Sequence, residues 1–152
     1  YYFLGEAEFL ARVEGGEFLE NAVVHGNHYG GLKSELRAKL AEGADVLLNI
    51  DVQGAATIRD GAASDEVLKE ALITVFLMPP SLEELEQRLR GRSTDADDVI
   101  AGRLEIAKDE IAQSGLFDYT LTSGTREADL EQMLSIIEAA RNRRPQNKTS
   151  DE

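Results

Sequence analysis

Leu72-Ile73-Thr74-Val75-Phe76-Leu77-Met78-Pro79-Pro80-Ser81-Leu82-Glu83-Glu84 is the stretch that decides the fold. Residues 72–77 are apolar or β-branched almost throughout, the pattern of a strand covered on both faces. Two prolines end it. Ser81 and Glu84 then have the spacing of a capping box, so a helix is expected from there through about Arg90.

A second apolar run lies upstream, Val46-Leu47-Leu48-Asn49-Ile50-Asp51-Val52, and reads as a buried strand of the parallel type. Between the chain start and that run, Phe9, Leu10 and Val13 have helical spacing within residues 6–14, and Gly15-Gly16 stops the helix. Residues 17–24 read as a strand, His25 to Gly31 as a glycine-rich turn, and Lys33 to Glu42 as a helix closed by Gly43. Downstream, Thr94 and Asp97 repeat the box spacing ahead of a long helix with Ile100, Leu104, Ala107 and Ile111 on one face. Residues 118–122 form a short strand, and Leu130, Met133, Leu134 and Ile137 mark a last helix. Buried strands alternating with helices predict an α/β fold with a parallel sheet. The polar tail from Pro145 is expected to be disordered.

At 152 residues the chain suits one domain with a real core. Hydrophobic residues make up 42% and charged residues 30%, ordinary values for a globular protein. No apolar run approaches the roughly 20 residues that span a bilayer, and no signal-peptide pattern opens the chain. The absence of cysteine excludes disulfides, thiolate metal sites and a cysteine nucleophile, and it fits a cytoplasmic location. A net charge of -13 argues against a nucleic-acid partner, although a few clustered arginines can hold a phosphate inside an acidic protein.

Three motifs carry candidate chemistry. The first is Glu17-Phe18-Leu19-Glu20-Asn21-Ala22-Val23-Val24-His25-Gly26-Asn27-His28-Tyr29-Gly30, and the second is Leu48-Asn49-Ile50-Asp51-Val52-Gln53-Gly54-Ala55. The third is Pro79-Pro80-Ser81-Leu82-Glu83-Glu84-Leu85-Glu86-Gln87-Arg88-Leu89-Arg90-Gly91-Arg92-Ser93-Thr94-Asp95. In this order and spacing they resemble guanylate kinase, the ATP:GMP phosphotransferase, over Tyr1 to about Arg143.

The resemblance implies a three-layer sheet of the P-loop kinase kind. It places a GMP-binding α+β subdomain at about residues 1–45 and a helical lid at about 88–103, within a domain over 1–144 that is followed by a tail over 145–152. It implies GMP and ATP as substrates, Mg2+ accompanying ATP, and no membrane partner. Glu20 and Asp51 match residues that touch guanine, and Tyr1 and Tyr29 match tyrosines that hold the GMP phosphate. Arg88, Arg92 and Arg103 match lid and phosphate-contacting arginines. The chemistry is coherent. Guanine offers N1–H and an amino group along one edge, and a carboxylate accepts from both. Adenine's unprotonated N1 would face carboxylate lone pairs and be rejected. Arginines relieve the repulsion between two polyanions.

On the residues alone, blander readings stand beside these. A lone Glu on a strand is ordinarily solvated. Arg88 and Arg92, amid Glu83, Glu84, Glu86 and Asp95, read on the residues alone rather as a salt-bridged helix surface. Asp51 is harder to dismiss, because it ends an apolar run where an unpaired carboxylate is costly. Gly26 to Ser34 approaches the phosphate-loop pattern, with its lysine one place late. His25 and His28 lack a third metal ligand.

The chain starts at Tyr1, and the family's phosphate loop lies ahead of the segment matching that start. The expectation is a chain that lacks the donor-gripping portion and is inactive alone. Gly31 replaces a usual Ser or Thr, Asn49 a usual acidic residue, Gly102 a frequent basic residue, and Ser123-Gly124 a common Asn-Asp. The rival reading is a catalytically inactive, guanylate-kinase-like module that binds protein ligands.

Overall fold

The computed structural model describes residues 2–24, 26–92 and 96–143, except for the side chains of Val24, Arg92 and Arg143. It divides into two units, Tyr1–Leu72 and Ile73–Glu152. Tyr1, Thr94 and the tail lie outside the described residues.

The first unit is built on a hairpin. Strand β1 (Phe18–Val24) follows helix α1 (Glu6–Glu14) and pairs antiparallel with β2 (Asn27–Leu32). The glycine-rich turn expected over 25–31 is therefore mostly strand. The chain reverses around Gly26, whose φ of 79° suits a residue without Cβ. Along β1, Phe18 pairs with Leu32 but Glu20 pairs with Gly31, so Leu19 is the extra residue of a bulge. The bulge lets two consecutive residues be buried. Phe18 stacks on Phe9 of α1, ring centroids 4.5 Å apart. Leu19 enters a cluster with Ile58, Ala62 and Leu68, flanked by Leu36, Leu40 and Leu72.

That cluster is supplied by helices α2 (Lys33–Ala41), α3 (Val52–Ala62) and α4 (Glu66–Ala71). The last two had no counterpart in the sequence reading. Gly54, Thr57 and Gly61 weaken the helical propensity of α3. It forms because Ala55, Ile58 and Ala62 are buried along one face and because Asp51 caps it. Asp65 caps α4 through the Leu68 N–H at 3.2 Å and also takes the guanidinium of Arg37. These contacts hold its carboxyl below the usual carboxylate range, the arginine being the larger cause.

The strand expected over Val46–Val52 is not there. Residues 44–51 form no ladder, and the apolar run is exposed, with Leu47 at 79%. A parallel strand is stabilised by neighbours on both edges and both faces, and no described strand pairs with this run. Residues 2–5 likewise form neither strand nor helix.

The second unit carries the parallel pair. Strand β3 (Val75–Met78) runs beside β4 (Tyr119–Thr122), with Val75 opposite Tyr119 and Met78 opposite Thr122. Asp118 and Thr74 lock this register. One Asp118 carboxylate oxygen accepts from both the Thr74 N–H and its hydroxyl, each at 2.7 Å, and the Asp118 N–H donates back to that hydroxyl oxygen at 2.9 Å. The strand begins three residues later than expected, since Leu72 closes α4 and packs in the first unit. Phe76, Leu121 and Ile100 are buried, and Phe117 meets Phe76 edge-on at 5.2 Å.

Helix α5 (Leu82–Arg92) starts where the box predicts, the Ser81 hydroxyl accepting from the Glu84 N–H at 3.1 Å. The reciprocal half is absent, because Glu84 takes Arg88 instead. Ser81 and the Glu83 backbone N–H together depress the Glu83 carboxyl, the backbone being the larger cause. Helix α6 (Asp97–Ala112) has Ala96 at its N-cap with no side-chain cap, so the second expected box does not start it. Ile100 is buried and Leu104, Ala107 and Ile111 are partly buried, as their spacing predicts. In α7 (Arg126–Arg143), Met133 and Ile137 are partly covered, while Leu130 and Leu134 are exposed.

Candidate functional site

Glu20 sits just past the bulge, partly buried, directly across from Gly31. Tyr29 is across from Ala22. Cross-strand partners share a face, so Glu20 and Tyr29 are diagonal neighbours on one face of the hairpin, a separation of roughly 7–8 Å that long side chains can bridge. Tyr29 is 47% exposed on that face. Gly31 leaves it open beside the carboxylate, since a Cβ there would have Glu20 Oε1 at 3.6 Å as its nearest neighbour. Gly30 has a different task on the other face. A Cβ would lie 2.7 Å from Phe18 Cδ1, closer than carbon tolerates, and 3.0 Å from the Glu20 carbonyl oxygen, a tight contact with backbone. The bulge that sets Glu20 therefore depends on glycine at 30.

Asp51 is exposed, and its Oδ1 accepts from the Gly54 N–H at 2.8 Å. The argument that burial makes this carboxylate costly does not hold, because it is a solvated N-cap. One oxygen is occupied by the helix, and Oδ2 has no partner among the described residues. Its helix packs on β1, so Glu20 and Asp51 come from elements in contact.

Lys33 removes the phosphate-loop lookalike. It opens α2, and its Nζ donates to the Gly16 carbonyl oxygen at 2.9 Å. Residues 27–32 are extended and paired, so their N–H groups cannot form a cradle. His28 packs its ring against Phe9, centroids 5.1 Å apart.

In the second unit Arg88 is held from two sides. Its Nε donates to Glu84 Oε1 at 3.0 Å and its Nη1 to the Ser123 hydroxyl oxygen at 3.1 Å. The salt-bridged surface reading is thus correct for one side of the guanidinium. Arg92 ends α5 four residues later, and its side chain is outside what the structure describes. Arg103 is exposed on α6, which packs against α5. Arg90 joins the two helices, bonding Glu86 at 2.9 Å and Asp97 at 2.6 Å. Asp97 first and Glu86 second raise its pKa.

Sequence reasoning treated Ser123 only as a departure and did not single out Asp129. A polar residue just beyond the carboxyl end of a predicted parallel strand was the available signal, because ligand crevices in α/β sheets open there.

Magnesium that accompanies a nucleotide is held mainly by phosphate oxygens and one or two carboxylates. No group of three His, Asp or Glu side chains among them could take an ion, and Asn49 stands two places before Asp51. No described helix is long and apolar enough to cross a membrane.

A family model described as "Guanylate kinase" matches residues 1–140. The guanylate kinase of Aromatoleum aromaticum is 43% identical over 93% of this chain and 66% of its own length. That of Bifidobacterium longum is 46% identical over 90% of this chain and 69% of its own length. The crystal structure of guanylate kinase from Anaplasma phagocytophilum superposes with a TM-score of 0.65 at 32% identity, over 91% of this chain and 64% of that one. The chain spans about two thirds of the length of the curated relatives it matches. A match across nearly all its residues, in sequence and in fold, means that the chain belongs to the guanylate kinase family.

Proposed function

We propose that the protein to which these residues belong transfers the γ-phosphoryl group of ATP to GMP. A phosphate oxygen of GMP attacks the γ-phosphorus, the bond to the β–γ bridging oxygen breaks, and GDP and ADP result. The observation that carries the reading is the β1–β2 face, where a partly buried carboxylate and an exposed tyrosine stand two positions apart beside a glycine. Glu20 accepts from guanine N1–H and the exocyclic amino group. Asp51 supplies a second acceptor through the oxygen its cap leaves over. Tyr29 and Tyr1 hold the GMP phosphate by their hydroxyls. Arg88, Arg92 and Arg103 neutralise charge on the transferring group, and because the attacking phosphate is already anionic, no strong base is needed.

The same reading assigns residues 1–45 to a GMP-binding subdomain inserted in a three-layer, P-loop-kinase-like sheet, and 88–103 to a lid, within one domain over 1–144. Lid closure excludes water and limits wasteful hydrolysis. Magnesium enters with the ATP phosphates, and no residue described here is assigned to it. The cytoplasm is the expected compartment, and nucleic acid and membrane are not partners.

Calorimetric titration tests the pocket. GMP is expected to bind at least tenfold more tightly than AMP. Glu20→Ala is expected to erase that preference, since a charge-assisted hydrogen bond contributes about 1.5–3 kcal/mol. Equal affinity for the two nucleotides, or a preference that survives Glu20→Ala, overturns the assignment.

A further inference from the structure

Ser123 is a buried polar residue, 8% exposed, and its surroundings give its hydroxyl a fixed direction. Its N–H donates to the Met78 carbonyl oxygen at 2.7 Å, which extends the β3–β4 ladder one residue past Thr122. The serine backbone is thereby anchored to the sheet. Its Oγ lies 3.1 Å from Asp129 Oδ2 and 3.1 Å from Arg88 Nη1. An ionised carboxylate can only accept, so the single hydroxyl proton goes to Asp129 and an oxygen lone pair faces the guanidinium. Asp129 is itself fixed, Oδ1 accepting from the Gly124 N–H at 2.7 Å. Three elements therefore meet in one chain of hydrogen bonds: the end of β4, the first turn of α7 and the middle of α5.

We propose that Ser123 and Asp129 are positioning residues for Arg88 in phosphoryl transfer. The inference rests on the reading of Arg88 given above. Glu84 claims the Nε–H and Ser123 one Nη1–H, so of the five N–H donors of a guanidinium three remain directed elsewhere. Those three can grip phosphate oxygens in a fork geometry that depends on how the plane is turned. A hydroxyl orients the plane without placing a second carboxylate at contact distance, so the arginine keeps charge for its ligand. Asp129 acts one bond further out, by setting which way the serine proton points. Transfer between two polyanions is mostly positioning and charge neutralisation, and an ångström of misplacement costs about 100-fold in rate.

Steady-state kinetics of the whole gene product test this, with thermal melts of each variant as the control for folding. Arg88→Ala examines the underlying reading and is expected to abolish turnover. Ser123→Ala is expected to lower kcat about 10- to 100-fold while the KM for GMP changes less than about twofold. Ser123→Thr keeps the hydroxyl and is expected to restore kcat. Asp129→Asn leaves one carbonyl acceptor for two donors, the Ser123 hydroxyl and the Gly124 N–H, and is expected to lose part of kcat, and Asp129→Ala to fall with Ser123→Ala. The Ser123→Ala/Asp129→Ala double variant is expected to be no slower than either single one, because both act through one contact.

If Arg88→Ala keeps its turnover, the reading and the inference fall together. If Arg88→Ala is dead while Ser123→Ala turns over like the parent, only the inference falls. Equal losses in Ser123→Ala and Ser123→Thr, matched by equal losses of melting temperature, also overturn it. Should Ser123→Ala fail to fold, Asp129→Ala decides: a kcat at the parent value while Arg88→Ala is dead overturns the inference.

Discussion

Adding one methyl group at residue 30 and one at residue 31 should have opposite consequences, although both are glycines on the same strand. In Gly30→Ala the new Cβ would start 2.7 Å from Phe18 Cδ1, 3.1 Å from Phe18 Cε1 and 3.0 Å from the Glu20 carbonyl oxygen. The ring cannot simply swing away, because it is stacked on Phe9 at 4.5 Å. The carbonyl belongs to backbone that the bulge has already bent. Relief must come from unstacking the ring or from moving β1, and such overpacking costs about 1–3 kcal/mol. Against this, alanine gains about 0.4–1 kcal/mol over glycine by restricting the unfolded chain. The net expectation is a loss of about 1–2 kcal/mol. In Gly31→Ala the nearest atom, Glu20 Oε1, is at an ordinary 3.6 Å, and only the gain applies.

Urea unfolding followed by far-UV circular dichroism measures both. Gly30→Ala should have the lower midpoint and Gly31→Ala a midpoint equal to or above the parent, at unchanged m-value. Because the bulge sets where Glu20 stands, Gly30→Ala should also lose the preference for GMP over AMP. A Gly30→Ala variant as stable as Gly31→Ala would refute the close-packing argument. One that is destabilised yet keeps full GMP preference would refute the link between bulge and carboxylate.

Two further expectations follow from side chains that fix local geometry. Asp118→Ala removes a carboxylate oxygen that accepts twice from Thr74, and should destabilise the second unit by about 1–3 kcal/mol in denaturant titration; Asp118→Asn, which retains an acceptor, should lose less. Asp65 should make the first unit acid-sensitive. Its folded pKa is depressed, chiefly by Arg37 and next by the Leu68 N–H, so its contribution is present above the unfolded carboxylate value and is lost as pH falls from about 4 through the folded value. Melting temperature against pH should show that loss in the parent and a smaller one in Asp65→Asn.

Much of the architecture could be read from periodicity. The helices at 6–14, 33–41 and 82–92, the Ser81 cap, the buried face of α6 and the strands at 18–24 and 119–122 all follow local rules. The failures have a common cause. Val46–Ile50 is as apolar as a buried strand, but strandedness is decided by neighbours, and no described strand pairs with it. The run Asn27–Leu32 has the composition of a turn, yet its two glycines serve a hairpin, one yielding to the Phe18 ring and one facing Glu20. Helix α3 was hidden because alanine carries little hydrophobic signal, although Ala55, Ile58 and Ala62 form its buried stripe.

The candidate site divides along the same line. Glu20, Tyr29, Asp51, Arg88 and Arg92 could be proposed because they lie inside contiguous motifs. What turns and restrains them could not. Arg88 depends on Ser123, which is 35 residues away, and Ser123 on Asp129, six residues beyond that. Asp51 was suspected because burial would make it costly, and it turns out to be an exposed cap. A carboxylate used by its own helix can still accept from a base through its second oxygen, so its residue type does not settle its role. The two carboxylates accordingly differ in what a substitution would report. Asp51→Asn keeps an oxygen that can cap α3 but lacks the charge proposed to distinguish guanine from adenine. Asp51→Ala loses both, and so mixes a helix defect with a binding defect. Glu20 accepts from no backbone N–H among the described residues, and its substitution isolates recognition. For that reason the guanine test belongs on Glu20, and Asp51 is informative only through its asparagine variant.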